Sequence, residues 1–223
     1  MNYYVFCCYD VLLLSCFLTG CLLMRKSWLF EYKLLVVLSG LTLVVEVAVQ
    51  LSFFLKTSPL PWLYNYFIPL EAGCIVYILY RTSVHRALKR LQSGLLICLP
   101  IGIGVSCGLH PVFLKLNESI GLFCLFVELM SSCFFLIDAL LDNSNTPLTR
   151  RPLFWLTCGL IFYCSNFILM HALMSYLPLT KISPKYYVLN GIIANVFMYA
   201  GFIGCFISLR PAKIRQEPGR RLA

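Results

Sequence analysis

Residues 62–80 read WLYNYFIPLEAGCIVYILY and are followed at once by Arg81. The stretch has the length and apolar character of a membrane-spanning helix, which needs about 20 such residues. It also carries Asn65, Pro69 and Glu71. A carboxylate at the bilayer centre costs roughly 2.5 kcal/mol or more even on the lenient insertion scale, so the rest of the chain is expected to receive it. This is the pattern of a polar helix inside a larger membrane bundle.

The flanking sequence agrees. The 223 residues are 60% hydrophobic and only 12% charged, against about 25% charged in an ordinary soluble domain. Apolar runs recur along the whole length, and seven spans can be drawn, at 4–24, 34–55, 62–80, 95–109, 119–141, 153–177 and 186–209. Turn signals fall between them: Pro59 and Pro61, the run DNSNTP at 142–147, Pro178 and Pro184, and Pro211 after the last. The expected fold class is all-α, a polytopic transmembrane helical bundle of seven spans. It has one transmembrane domain, 1–209, and a basic tail, 210–223. The fourth span is short and glycine-rich. Gly104 and Gly108 make a GxxxG pattern that suits close helix packing, so this span is expected to be internal or tightly packed.

The net charge of +9 is distributed by side rather than by patch. Fourteen of the eighteen Lys and Arg residues fall in the first, third and fifth loops and the tail; Lys56, Lys115, Lys181 and Lys185 fall on the other side. The positive-inside rule then places the N-terminus outside and the C-terminus in the cytoplasm. The basic residues serve orientation, and the partner they imply is the lipid bilayer, not nucleic acid. The third loop, TSVHRALKRLQSG at 82–94, reads as a short basic amphipathic turn in contact with anionic lipid. Residues 18–21, LTGC, match a short pattern cleaved in bacterial lipoproteins. The first ten residues contain Asp10 but no Lys or Arg, and Arg25 and Lys26 follow the run, the reverse of a signal peptide. Residues 4–24 are therefore read as a span.

With orientation set, depths can be compared. Glu46, Glu71, Glu128 and Asn195 each lie nine residues from the outer end of their span. At about 1.5 Å of rise per residue, all four sit roughly 13–14 Å below the outer surface, near the bilayer middle. Their side chains are expected to point to one interior space. Close carboxyls cannot all ionise, so at least one is expected to titrate well above about 4.3. Two readings fit such a cluster: a ligand, cation or proton site, or interhelical hydrogen bonds worth about 0.6 kcal/mol each that hold the bundle together. Asn166 and His171 on the sixth span are further ligand- or proton-binding candidates. Asp138 is expected to face the basic inner loops.

Other chemistries find little support. His85 lies in a basic loop and His110 at a span end, so no bis-histidine haem site forms. The twelve cysteines fall in apolar segments without CxxC or zinc spacing, as small packing residues do, with a Cys107–Cys124 disulfide left open. There is no HExxH, GxSxG, P-loop or GxGxxG motif. No catalytic residue, metal or cofactor is expected.

At YFIPLE (66–71), at Glu128, at PLFWLTCGLIFY (152–163) and along the Asn-bearing segment 190–202, the chain resembles a group of small bacterial polytopic membrane proteins. Those proteins look like the membrane halves of sensor systems. The resemblance spans most of the chain. It implies a seven-helix bundle in the bacterial cytoplasmic (inner) membrane and a membrane or cytoplasmic signalling partner. The expected function is a non-catalytic sensory or accessory module. A small-solute or ion transporter using the same carboxylates, and a membrane-embedded lipid-modifying enzyme, are the alternatives.

Overall fold

In lipid every backbone N–H and C=O must find a partner within the chain, and a helix supplies one for each. The computed structural model follows that rule. It describes residues 3–25, 28–55, 61–109, 117–142, 147–176 and 184–209. Seven helices form: α1 Tyr3–Leu23, α2 Phe30–Phe54, α3 Tyr64–Thr82, α4 Arg86–Leu109, α5 Glu118–Leu141, α6 Pro152–Tyr176 and α7 Pro184–Ser208. No strand occurs among the described residues.

Five helices are long and apolar enough to cross a membrane: α2, α4, α5, α6 and α7. The described apolar part of α1, Tyr9–Leu23, is shorter. In α3 the apolar character is diluted by Asn65, Glu71, Arg81 and four tyrosines. Yet Asn65, Phe67, Ala72, Ile75, Val76, Ile78 and Leu79 of α3 are all buried. A helix that faces protein rather than lipid can carry polar groups that a lipid-facing one cannot.

Contacts between helices run α1–α2–α3–α5–α6–α7 and close back from α7 to α1, giving a ring of six. The main core fills one half of it, with Leu13, Leu35, Ile75, Leu79, Leu156 and Phe206 all fully buried. Helix α4 stands outside the ring against α3 and α5.

That position overturns the expectation for the fourth span. Only 11% of the apolar window of α4 is buried, and an ideal Cβ on Gly104 or Gly108 would meet nothing within 4 Å. The GxxxG spacing is present without a partner helix facing it. Nor is the span short: helix starts at Arg86, so most of the basic segment read as a loop is the first turns of α4. Asp138 explains that start. It is buried on α5 and accepts hydrogen bonds from the backbone N–H groups of Val84 and His85, at 2.9 and 2.8 Å, while His85 Nδ1 lies 2.9 Å from it. A carboxylate at the amino end of a helix satisfies orphan N–H groups and suits the helix dipole.

The close helix contact lies elsewhere. An ideal Cβ on Gly159 of α6 would come within 2.8 Å of the Phe197 carbonyl oxygen. One on Gly201 of α7 would come within 2.7 Å of the Trp155 carbonyl oxygen. Two glycines facing each other let the α6 and α7 backbones touch, as small residues do in membrane bundles.

The ends are tied by polar contacts. Asn117 caps α5 through Ser119 N and Ile120 N, and its own N–H donates to Asn65 on α3 at 2.7 Å. At the opposite end Arg81 reaches Glu31 at 3.3 Å and Arg151 reaches Asp142 at 2.8 Å. Cys107 and Cys124 are free thiols, so the disulfide left open by the sequence does not form. The tail 210–223 and the loop 177–183 lie outside the described residues.

Candidate functional site: a carboxyl-lined cavity within the helix ring

A cavity of about 180 Å³ lies inside the ring. Side chains three, four and seven apart share one face of a helix, and each wall is built that way. Tyr64, Phe67, Ile68 and Glu71 come from α3; Thr42 and Glu46 from α2; Tyr163 and Phe167 from α6. Asn195, Met198 and Tyr199 come from α7, and Tyr9 from α1. Pro69 sits inside α3 just before Glu71. Its ring lacks the N–H that would bond the carbonyl four residues earlier, which loosens the ladder beside the site.

The polar atoms of the wall are unequally satisfied. Tyr64 donates its hydroxyl to Glu46 Oε2 at 3.0 Å. The Tyr9 and Tyr199 hydroxyls meet at 3.0 Å across α1 and α7. Asn195 donates its amide to the Gly191 carbonyl on its own helix at 2.8 Å, and Thr42 bonds back to Leu38 at 2.9 Å. Glu71 differs: its Oε1 is buried and has no hydrogen-bond partner. A buried polar atom left unpaired costs about 1–3 kcal/mol, so native structures rarely keep one without a reason.

Glu128 lies behind this wall on α5. It is buried, within electrostatic range of Glu71, and accepts a weak hydrogen bond from Cys164 Sγ at 3.6 Å. Glu46, Glu71 and Asn195 thus line one cavity, and Glu128 stands beside Glu71. The interior space expected for these four from their common depth holds three of them on its wall and the fourth just outside it.

Asn166 and His171 are not part of this site. Successive helix residues turn by about 100°, so Asn166 is rotated off the face that Tyr163 and Phe167 present. It lines a separate, largely apolar groove of about 700 Å³ with Leu136, Phe162, Asn190 and Ile193. His171 continues the cavity face of α6 one turn beyond Phe167, and its Nε2 lies 3.8 Å from Glu118 Oε2 at the start of α5.

The tyrosines of the wall were not singled out from sequence. A signal was there. Tyr199 is one turn from Asn195, Thr42 one turn from Glu46, and Tyr64 two turns from Glu71, so each shares a helix face with a residue that was chosen. Among the described residues no group of three or more His, Cys, Asp or Glu could hold a metal ion.

No family model, curated protein or solved structure matches this chain. Fold and site define its class: an all-helical bundle with five helices of membrane-crossing length and apolarity, in which six helices close a ring around a cavity that carries carboxyl groups.

Proposed function

We propose that this chain is a multi-pass protein of the bacterial cytoplasmic membrane, a non-catalytic sensory or accessory module whose central cavity binds a small ligand. All seven helices cross in this reading, with the N-terminus outside and the C-terminus in the cytoplasm. The uneven distribution of Lys and Arg supports that orientation. The resemblance to the membrane halves of sensor systems supports a signalling partner. Helices α1 and α3, which are not among the five of crossing length and apolarity, contribute Tyr9, Tyr64 and Glu71 to the cavity wall, and in α3 the added polarity is the cost of building the site.

One observation carries the proposal. Structural pairing accounts for Glu46, bonded by Tyr64, and for Glu128, bonded by Cys164. It does not account for Glu71 Oε1, which is buried at a cavity without a partner. An unmet acceptor facing a cavity is what a bound molecule with a donor or a positive charge would satisfy.

Native mass spectrometry of the full chain from mild detergent tests this. Wild type should carry a small molecule that a folded Glu71→Leu variant has lost. Identical bound species in the two, with the variant the more stable, would make the cluster structural. A transporter is the rival reading. The row Glu128, Ser131, Ser132 and Asp138 buried on α5 favours it, because it runs from beside the cavity to the loop at 83–85. Substrate flux in liposomes reconstituted with the full chain separates the two.

A further inference from the structure

We infer that the occupant of the cavity is a small organic cation, a protonated amine or quaternary ammonium, held between the Glu46 and Glu71 carboxylates and faced by tyrosine rings. This rests on the reading of the cavity as a ligand site and adds the chemical class of the ligand.

Charge comes first. The wall holds two carboxyl groups and no Lys, Arg or His. Four acidic residues nearer the helix ends have a basic side chain beside them: Glu31 has Arg81, Asp142 has Arg151, Asp138 has the His85 imidazole and Glu118 has the His171 imidazole. The mid-bundle acids have none. Residues 34–55, 62–80, 153–177 and 186–209 contain no Lys or Arg at all. A buried carboxylate needs a counter-charge or a proton donor; Tyr64 gives Glu46 a donor, and no lining side chain gives Glu71 Oε1 either one. An anionic ligand would meet two acidic side chains and no basic one.

The rest of the wall selects among cations. Six of its side chains are aromatic, four of them tyrosines. Tyr9 and Tyr199 stand with ring centroids 5.9 Å apart and planes tilted by 58°; Tyr163 and Phe167 stand at 4.8 Å and 53°. Tilted rings on two sides of a cavity form angled walls, and aromatic ring faces attract ammonium groups most strongly where water is excluded. A bare divalent metal ion would instead need several ligands in one shell, and no group of three or more His, Cys, Asp or Glu that could hold one exists among the described residues. Size agrees as well: about 180 Å³ equals roughly six waters of liquid volume, room for a compact ammonium and little more.

The experiment measures thermal unfolding of the full chain in one detergent during titration with tetramethylammonium chloride and with choline chloride. Sodium chloride controls for ionic strength. The neutral carbon isostere of choline, 3,3-dimethylbutan-1-ol, controls for shape. The ammonium salts should raise the midpoint saturably, with the isostere at least about tenfold weaker. Glu71→Gln, which keeps shape and removes charge, should weaken binding by at least about tenfold. Tyr163→Phe should retain binding and Tyr163→Leu should lose it, because the ring face and not the hydroxyl makes the contact. Equal stabilisation by isostere and ammonium overturns the cationic assignment and leaves the ligand site standing. No saturable shift from either, together with wild type free of any bound small molecule, overturns both. Full binding by Tyr163→Leu with loss in Glu71→Gln overturns the role of the rings.

Discussion

Replacing Gly201 with alanine puts a methyl group where α6 and α7 touch. Its Cβ would lie 2.7 Å from the Trp155 carbonyl oxygen and 3.2 Å from the Gly159 Cα. Both neighbours are backbone, so no side chain can swing aside and the helices must part. Overpacking of this kind costs about 1–3 kcal/mol. A clash with fixed backbone lies in the upper half of that range, about 2–3 kcal/mol; alanine returns about 0.8–1.0 kcal/mol as the better helix former, leaving a net loss of about 1–2 kcal/mol. For a chain of this size that lowers Tm by about 2–8 °C. The control is Gly104→Ala, whose Cβ meets nothing within 4 Å. Only propensity acts there, so the control should be unchanged or stabler by up to about 1 kcal/mol. Thermal unfolding followed by tryptophan emission is a direct assay, because Trp155 sits at the contact. A Gly201→Ala protein as stable as wild type, or a larger loss from Gly104→Ala, would refute the placement of the close contact.

Glu71→Leu should raise the stability of the ligand-free protein by about 1–3 kcal/mol, since it removes an unpaired buried oxygen; destabilisation would mean that the carboxyl has a partner. Asp138→Ala should cost about 2–4 kcal/mol, because it strips a charged acceptor from two backbone amides, and should speed hydrogen exchange at Val84 and His85; unchanged exchange there would contradict the cap. Proteolytic digests under non-reducing conditions should yield no peptide joining Cys107 to Cys124, and finding one would overturn their free state. A reporter fused after Ala223 should behave as cytoplasmic and one in the loop 181–185 as external; the reverse pattern would invert the proposed orientation.

The helical architecture was legible because apolar runs of span length leave the backbone one economical solution. The common level of Glu46, Glu71 and Asn195, which line one cavity, was legible too, since a helix converts residue number directly into height. Rotation about each helix axis was less so. Asn166 had a plausible depth, but its azimuth places it beside an apolar groove; His171 shares the cavity azimuth of Phe167 and lies one turn too far along α6. Packing partners were the least legible. Gly104–Gly108 and Gly159–Gly201 look alike as small residues in apolar runs, and only the ring order of the helices gives the second pair a facing backbone. The reach of α4 back to Arg86 was hidden because its cap, Asp138, lies more than fifty positions away on α5.

The bond between Tyr9 and Tyr199 joins residues 190 positions apart. A chain made at about 5–20 residues per second therefore holds α1 without this partner for about 10–40 s after Tyr9 is synthesised. Asp10 meets Gln50 at 2.8 Å and can do so early; Tyr9 must wait for α7. The full cavity wall is thus absent from any form of the chain that stops before Asn195, since Asn195, Met198 and Tyr199 are the last of its lining residues to be made. Only a chain that has been translated through α7 can close the ring.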